Sequence, residues 1–224
     1  MIDIEKFFTE YKDMSGLWCP AITDVGDLAK CMDTVVANDF SIISVVPSAV
    51  ETVWPWLEAR DIKIMARFYI ADKKISEQSV SDITKEIKEC FSCGAHGAQV
   101  FLSLGALPDL VELTHLIKND LFFDRDLIIG MNISEIKPLD WDNVFENLRK
   151  VNVSALMLAL PKDTGNKSNF VGKIYGMLDK WHDDNNFDIH FLLGANFMRI
   201  EQTVRLIKCM RPELMGRIKF FVGY

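Results

Sequence analysis

The chain alternates between short apolar runs of strand length and longer amphipathic stretches of helix length. An amphipathic stretch follows each of the first seven runs. The runs are apolar almost continuously, as is typical of parallel strands buried on both faces. Eight strand–helix units are the number that closes a (β/α)8 barrel. The pattern therefore predicts an α/β fold, a (β/α)8 TIM barrel that forms one domain over residues 1–224. The predicted strands open near Leu17, Ser41, Ile62, Ala98, Leu127, Val153, Phe187 and Ile218.

The two ends of the chain depart from the regular repeat. Residues 2–13 predict an extra N-terminal helix, because Ile4, Phe7, Phe8 and Tyr11 recur at helical spacing. The last predicted strand ends two residues before the sequence does, so the barrel is expected to lack its eighth helix. A strand left bare on its outer face would expose apolar surface. We expect the N-terminal helix, or a second subunit in a homodimer, to cover it.

Composition and charge limit the classes of partner. The sequence is 49% hydrophobic, enough for a sizeable core, and carries a formal net charge of -7. An acidic chain is a poor match for nucleic acid or an anionic membrane, which select basic patches. No apolar run reaches the roughly 18 residues that a membrane-spanning helix needs. We therefore predict a cytoplasmic protein that acts on a small-molecule substrate and binds neither nucleic acid nor a membrane.

The cysteines predict neither disulfides nor a metal site. There are five of them, an odd count, in a chain long enough to need no covalent staples. Cys90 and Cys93 form a lone Cys-x-x-Cys pair, whereas a structural zinc site needs a second pair of ligands. The pair is predicted at the C-terminus of a helix, where the helix dipole does not stabilise a thiolate. We expect free thiols, and no metal or other cofactor.

Candidate catalytic residues follow from the rule that a barrel places its active site at the C-terminal ends of the strands. Lys162 follows the sixth strand and is the lysine best placed to form an imine. Such a lysine needs a lowered pKa, from burial or from a neighbouring cation such as Lys167 or Lys173. Asp24, after the first strand, and Glu135, after the fifth, are the carboxylates best placed for acid–base catalysis. Solvation of Lys162, and helix capping or loop solvation of the two carboxylates, are the alternatives.

Candidate substrate-binding residues lie at the same predicted face. Arg67 is embedded in the apolar third strand, so its cation must either be paired or bind an anion. Recognition of a carboxylate or phosphate, and an ion pair with one of the two carboxylates above, both remain open. Asn132 and Asn196 are placed to hydrogen-bond a substrate or, alternatively, loop backbone. Gly194 opens the turn after the seventh strand, where barrels often bind phosphate through backbone N–H groups.

Four segments carry a resemblance to a known family: ISVVPSAV at residues 43–50, GAQVFLSLGAL at 97–107, the stretch from LGA to RIE over 193–201, and GRI at 216–218. They resemble the second strand with its Pro-Ser turn, the fourth strand, the seventh strand with its turn, and the entry to the last strand of the deoxyribose-phosphate aldolase family. Members of that family are class I aldolases with a (β/α)8 fold. The resemblance implies a lyase that forms a Schiff base with a small aldehyde or ketone, with or without a phosphate group.

The resemblance also gives a position for the Schiff-base lysine. In the family it lies at the end of the sixth strand, in a Lys-Thr-Ser-Thr-Gly setting. The nearest match here is Lys162-Asp163-Thr164-Gly165, in which the lysine comes one position late relative to Thr-Gly. On this hypothesis Lys162 forms the imine, Asp24 or Glu135 transfers protons through water, and Arg67 with the turn after the seventh strand holds the anion.

Three departures from the family pattern support a second hypothesis. The fourth strand carries Gln99 and no carboxylate where the family has a catalytic aspartate. The family's second lysine, on the seventh strand, is replaced by His190 or Phe191, and His190 is expected in the lower layer of the barrel. The last strand ends in Phe-Phe-Val-Gly-Tyr instead of a serine-rich phosphate-binding turn. The alternative is therefore a barrel that has lost the aldolase machinery and works as a binding or interaction protein, for which a homodimer burying the eighth strand would be support.

Overall fold

A computed structural model describes residues 11–22, 24–70, 76–109, 111, 124–151, 153–160, 170–194 and 197–223. Over these residues eight parallel strands form a closed barrel in the order of the sequence. This arrangement confirms the predicted α/β fold and (β/α)8 barrel. The strands are β1 (Ser15–Trp18), β2 (Ile42–Val45), β3 (Lys63–Ile70), β4 (Gly97–Leu102), β5 (Asp126–Asn132), β6 (Ala155–Ala159), β7 (Asp188–Leu192) and β8 (Ile218–Gly223).

α-Helices connect successive strands, except between β4 and β5, where the described residues form a 3-10 helix over Leu104–Asp109. Short 3-10 turns precede β1 and β8 and occur in several of the connections. In the described part of the chain the helices are α1 (Val25–Ala37), α2 (Val50–Leu57), α3 (Glu77–Ser92), α4 (Trp141–Val151), α5 (Phe170–Asp179) and α6 (Phe197–Met210).

Two element boundaries differ from those that the sequence pattern predicts. The apolar run LWCPAI predicts a first strand over residues 17–22, but β1 ends at Trp18. Its last ladder bond runs from the Cys19 N–H to the Ser44 carbonyl, and Pro20 lacks an N–H to continue. The sequence also predicts Ser79 or Ser81 as the N-cap of the third helix. Instead the Ser76 hydroxyl accepts from a backbone N–H and α3 begins one residue later.

The core has two layers, because side chains along each strand alternate between the barrel lumen and the surrounding helices. Gly130 faces the lumen where space is short, since a Cβ there would lie 2.4 Å from the ring of Phe101. The apolar lumen cluster comprises Ile42, Met65, Phe101, Ile128, Ala155, Met157 and Phe221.

The first described residues of the chain lie beside β8. β8 pairs with β1 in register from Ser15 opposite Phe220 to Trp18 opposite Gly223. Tyr11 packs against the outer core, and Lys219 Nζ donates to the carbonyl of Asp13 at 3.3 Å. Most of the predicted N-terminal helix falls on residues 1–10, outside the described residues. Among the helices that are described, none is long and apolar enough to cross a membrane.

Candidate functional site

Three aromatic side chains, named here the upper aromatic cluster, pack in the lumen toward the C-terminal ends of β1, β3 and β4. Phe101 stacks on Tyr69 with ring centroids 5.2 Å apart, and it meets Trp18 edge-on at 5.5 Å. Phe101 is buried, whereas Tyr69 is 62% exposed. The sequence reasoning missed this cluster. Its signal is the period-two alternation along β3 and β4, which places Tyr69 and Phe101 on the lumen face.

A buried polar group lies one layer below Tyr69. Arg67 is only 3% exposed, and its guanidinium carbon lies 4.3 Å from the centroid of the Trp18 ring. Arg67 Nη1 donates to the carbonyl of Ser44 at 3.2 Å, and the Ser44 hydroxyl donates to Gln99 Oε1 at 2.6 Å. Arg67 Nε and Gln99 Nε2 are buried without a hydrogen-bond partner. Burial lowers the pKa of Arg67, so this cation is incompletely compensated by the described protein groups.

The two predicted carboxylates are exposed residues with local roles. Asp24 caps α1, since its Oδ1 accepts from the Asp27 N–H at 3.1 Å. Glu135 Oε1 accepts from Asn132 Nδ2 at 3.4 Å. Within the described residues neither carboxylate forms an ion pair with Arg67. The structure therefore gives Asp24 the helix-capping role that was the alternative in the sequence, and anion binding by Arg67 stays a prediction.

The other predicted binding residues are placed in part. Asn132 Oδ1 accepts from the Ser134 N–H at 2.9 Å, so this side chain orders the loop after β5. Gly194 follows β7 with φ +62°, and among the described residues, its chain neighbours aside, no atom lies within 4 Å of the position that a Cβ would take. The turn therefore has the left-handed backbone that favours glycine. Lys162 and Asn196 lie outside the described residues.

Lys173 has a role that the sequence did not predict. Lys173 Nζ donates to three backbone carbonyls after β5, those of Ile133 at 2.9 Å, Ser134 at 2.9 Å and Ile136 at 2.7 Å. Three acceptors match the three N–H donors of an ammonium group. Lys173 on α5 therefore holds in place the loop that presents Asn132 and Glu135. The expected effect of its charge on Lys162 stays a prediction, because Lys162 lies outside the described residues.

A second polar region lies at the opposite end of the barrel, where the strands begin. His190 lines it and is 4% exposed, which confirms its predicted place in the lower layer. Burial lowers the pKa of His190 to about 3, so its imidazole is neutral. Lys63 and Lys219 line the same cavity. The sequence pattern does not predict this cavity, because a lysine at the start of a strand is usually interpreted as a side chain exposed to solvent.

Metal binding and disulfides have little support in the described part of the chain. No group of three or more His, Cys, Asp or Glu side chains there could hold a metal ion. All five cysteines are described and free, as predicted. Cys19 and Cys31 are buried together behind β1. A hydrogen bond from the Cys31 thiol, with the charge of Arg67, lowers the pKa of Cys19.

Comparison with solved structures places the architecture among known barrels. A deoxyribose-phosphate aldolase from Aeropyrum pernix, described as a tetramer, superposes with a TM-score of 0.69 at 8% identity, covering 97% of this chain and 87% of that chain. A proposed deoxyribose-phosphate aldolase from Toxoplasma gondii ME49 gives 0.71 at 11% identity, covering 100% and 93%. The chain has the fold of the deoxyribose-phosphate aldolases. At such identities the likeness shows the fold alone, and the resemblance seen in the sequence is confirmed at that level.

The same fold likeness extends beyond the aldolases. A proposed copper homeostasis protein, CutC from Streptococcus agalactiae, superposes with a TM-score of 0.65 at 9% identity, covering 94% of this chain and 97% of that chain. No protein-family profile matches the chain, and no curated protein matches it. The chemistry must therefore be argued from the residues of this barrel.

Proposed function

We propose that the protein is an aldolase-like lyase that forms a Schiff base between Lys162 and a small aldehyde or ketone, with or without a phosphate group. The observation that carries the proposal is the aldolase barrel fold, together with a lysine three positions after the end of β6. Barrel enzymes take their catalytic residues from this end of the strands. The reaction needs no cofactor, because the imine itself serves as the electron sink.

The adjacent strand supplies the proton-transfer group that fits best. β5 and β6 are neighbours, with Asn132 opposite Ala159, and the Ile133 N–H donates to the Ala159 carbonyl at 3.0 Å. Glu135 therefore follows the strand next to the one that leads to Lys162, whereas Asp24 follows β1 and caps a helix. We assign acid–base catalysis to Glu135 ahead of Asp24. Arg67, Gly194 and Asn196 are assigned to the anionic part of the substrate.

Imine formation and C–C cleavage need only the substrate, water and the side chains of Lys162 and Glu135. Lys162 Nζ adds to the carbonyl carbon, and the carbonyl oxygen leaves as water after accepting two protons, which gives a protonated imine. In the cleavage direction Glu135 takes the proton of the β-hydroxyl group through a water molecule. The C–C bond then breaks: the carbon of the former β-hydroxyl group leaves as an aldehyde or ketone, and the electron pair of the broken bond passes to the imine to form an enamine. Protonation of the enamine and hydrolysis return the amine of Lys162.

Exchange of α-protons with solvent tests this chemistry without knowledge of the full substrate. The wild-type protein in D2O is expected to exchange the α-protons of a member of a panel of small aldehydes, ketones and sugar phosphates, followed by proton NMR. In Lys162→Ala the exchange should fall to the buffer rate, because no enamine forms. Lys150→Ala, at an exposed lysine paired with Glu146, is the matched control and should keep wild-type exchange. Full exchange in Lys162→Ala would overturn the proposal.

The second candidate, a binding or interaction protein without lyase activity, has one specific observation in its favour. The upper lumen contains the upper aromatic cluster and Arg67. In the part of the chain that the structure describes, no lysine and no carboxylate joins them there. Stacked aromatic rings beside a guanidinium group favour binding of a planar or anionic molecule. Ligand-dependent thermal stabilisation without α-proton exchange for any panel member would support this candidate.

A further inference from the structure

The cavity at the N-terminal end of the barrel is a candidate site that the proposed function does not use. It has a volume of about 360 Å³ and is lined from the starts of β2, β3, β5, β6, β7 and β8. Ligand pockets are typically about 300–1,000 Å³, so this one suits a small molecule. Met65, Met157 and Phe221 are fully buried in the lumen cluster, and this packed layer separates the cavity from the upper aromatic cluster.

The charges around the cavity leave one cation without a contacting carboxylate. Lys63 Nζ lies 2.5 Å from Asp126 Oδ2, and Arg217 Nε lies 3.5 Å from Asp188 Oδ1. Lys219, in contrast, forms no ion pair among the described residues, and its Nζ donates to the Ser41 hydroxyl and the Asp13 carbonyl, both at 3.3 Å.

Several charges act on Lys219 from a distance. Burial lowers the pKa of Lys219 most, the charges of Asp188 and Asp13 raise it, and the charge of Lys63 lowers it. Among the described residues, the lysine of the cavity wall that is free of an ion pair is therefore Lys219.

His190 supplies a second, independent sign of a missing partner. Its side chain is fully buried in the cavity wall, and Nδ1 has no hydrogen-bond partner. A buried polar atom without a hydrogen-bond partner is unfavourable, and a bound water, ion or ligand is one of the partners that can satisfy it. A neutral imidazole carries one N–H and can donate it to an oxygen atom.

We propose that this cavity binds a small hydroxylated monocarboxylate, with its carboxylate on Lys219 and His190 and its hydroxyl groups on the serine and aspartate side chains of the wall. A single negative charge matches the single free cation. A dianion such as phosphate would add charge beside Asp126 and Asp188 that no further lysine of the described wall offsets. The site is distinct from the proposed lyase site and stands or falls independently of it.

Titration with glycerate, glycerol and inorganic phosphate, followed by NMR of the histidine rings, tests the assignment. Glycerate is expected to shift the His190 ring signal and the backbone signals of Ile128 and Ala155 in a saturable way. Signals of Tyr69 and Asn132, at the other end of the barrel, should stay unchanged. Glycerol, the uncharged analogue, should give no saturable shift, and phosphate should bind more weakly than glycerate.

Variants of Lys219 make the test specific. Lys219→Met should weaken glycerate binding by roughly tenfold or more, because it removes a charge-assisted hydrogen bond to the carboxylate. Lys219→Arg keeps the charge and should retain binding, and Lys150→Met is the surface control. No saturable shift with glycerate in the wild type, an equal response to glycerol, tighter binding of phosphate, or undiminished affinity in Lys219→Met would each overturn the proposal. The wild-type titrations alone decide it if Lys219→Met does not fold.

Discussion

His190 is expected to make the free energy of unfolding fall by about 1.4 kcal/mol for each pH unit of acidification below 6.5. Burial, followed by the charge of Lys219, lowers the pKa of His190 to about 3 in the folded barrel. Between pH 6.5 and 3 the unfolded chain therefore binds a proton that the folded chain does not. The contribution is fully present above pH 6.5 and is lost as the pH falls. At two units below 6.5 the loss should reach about 3 kcal/mol.

Urea unfolding followed by tryptophan fluorescence between pH 7 and 4.5 measures this effect. The His190→Gln variant should lose stability less steeply with acid than the wild type. His96 also has a pKa lowered by burial, and its Nδ1 accepts from the Ile64 N–H at 3.0 Å. Its contribution is common to both proteins and cancels in the difference between them. His182→Gln, at an exposed histidine, is the matched control. Identical pH dependence of wild type and His190→Gln would contradict the prediction.

Replacing Lys173 by methionine is expected to lower the free energy of unfolding by about 2–4 kcal/mol, from the loss of hydrogen bonds made by a charged donor. The three carbonyls that Lys173 holds follow β5 directly, so the loop with Asn132 and Glu135 should open as well. Urea unfolding gives the first effect, and amide hydrogen exchange in residues 133–136 gives the second. If α-proton exchange is detected in the wild type, it should also fall.

The control for Lys173 is another lysine on a helix. Among the described residues, Lys150 forms an ion pair with Glu146 alone, at the surface of α4, so Lys150→Met should cost less than about 1 kcal/mol. Lys173→Arg keeps the charge but changes the donor geometry, and it should fall between wild type and methionine. Equal stability of Lys173→Met and Lys150→Met would show that the three hydrogen bonds contribute little.

The barrel could be predicted because parallel strands buried on both faces leave an unmistakable pattern. All eight strands begin within two residues of the predicted positions, from Ser15 instead of Leu17 to Ile218 at the predicted residue. The predicted ends of two elements were wrong because a single atom determines where each element ends or begins. The missing N–H of Pro20 helps to end β1, and the hydroxyl of Ser76 sets the start of α3.

The candidate site was harder to predict because its residues have local alternatives that only geometry resolves. In the sequence, the carboxylate of Asp24 fits a catalytic base and a helix N-cap equally well. In the structure it caps α1. The sequence suggests only a neighbouring positive charge at Lys173. In the structure Lys173 donates hydrogen bonds to three carbonyls that lie about 40 positions earlier in the chain. Tyr69 and Phe101 come together only through the pairing of β3 with β4. Lys219 meets Ser41 and the cavity only because the barrel closes.

The proposed imine is tested most directly by borohydride trapping, read by intact mass and peptide mapping. The wild-type protein, reduced in the presence of the aldehyde, ketone and sugar-phosphate panel, should gain one adduct, and the modified peptide should contain Lys162. Mapping separates this site from Lys63 and Lys219 at the other end of the barrel. An adduct confined to Lys63 or Lys219, or no adduct from any compound on folded protein, would contradict the proposed lyase.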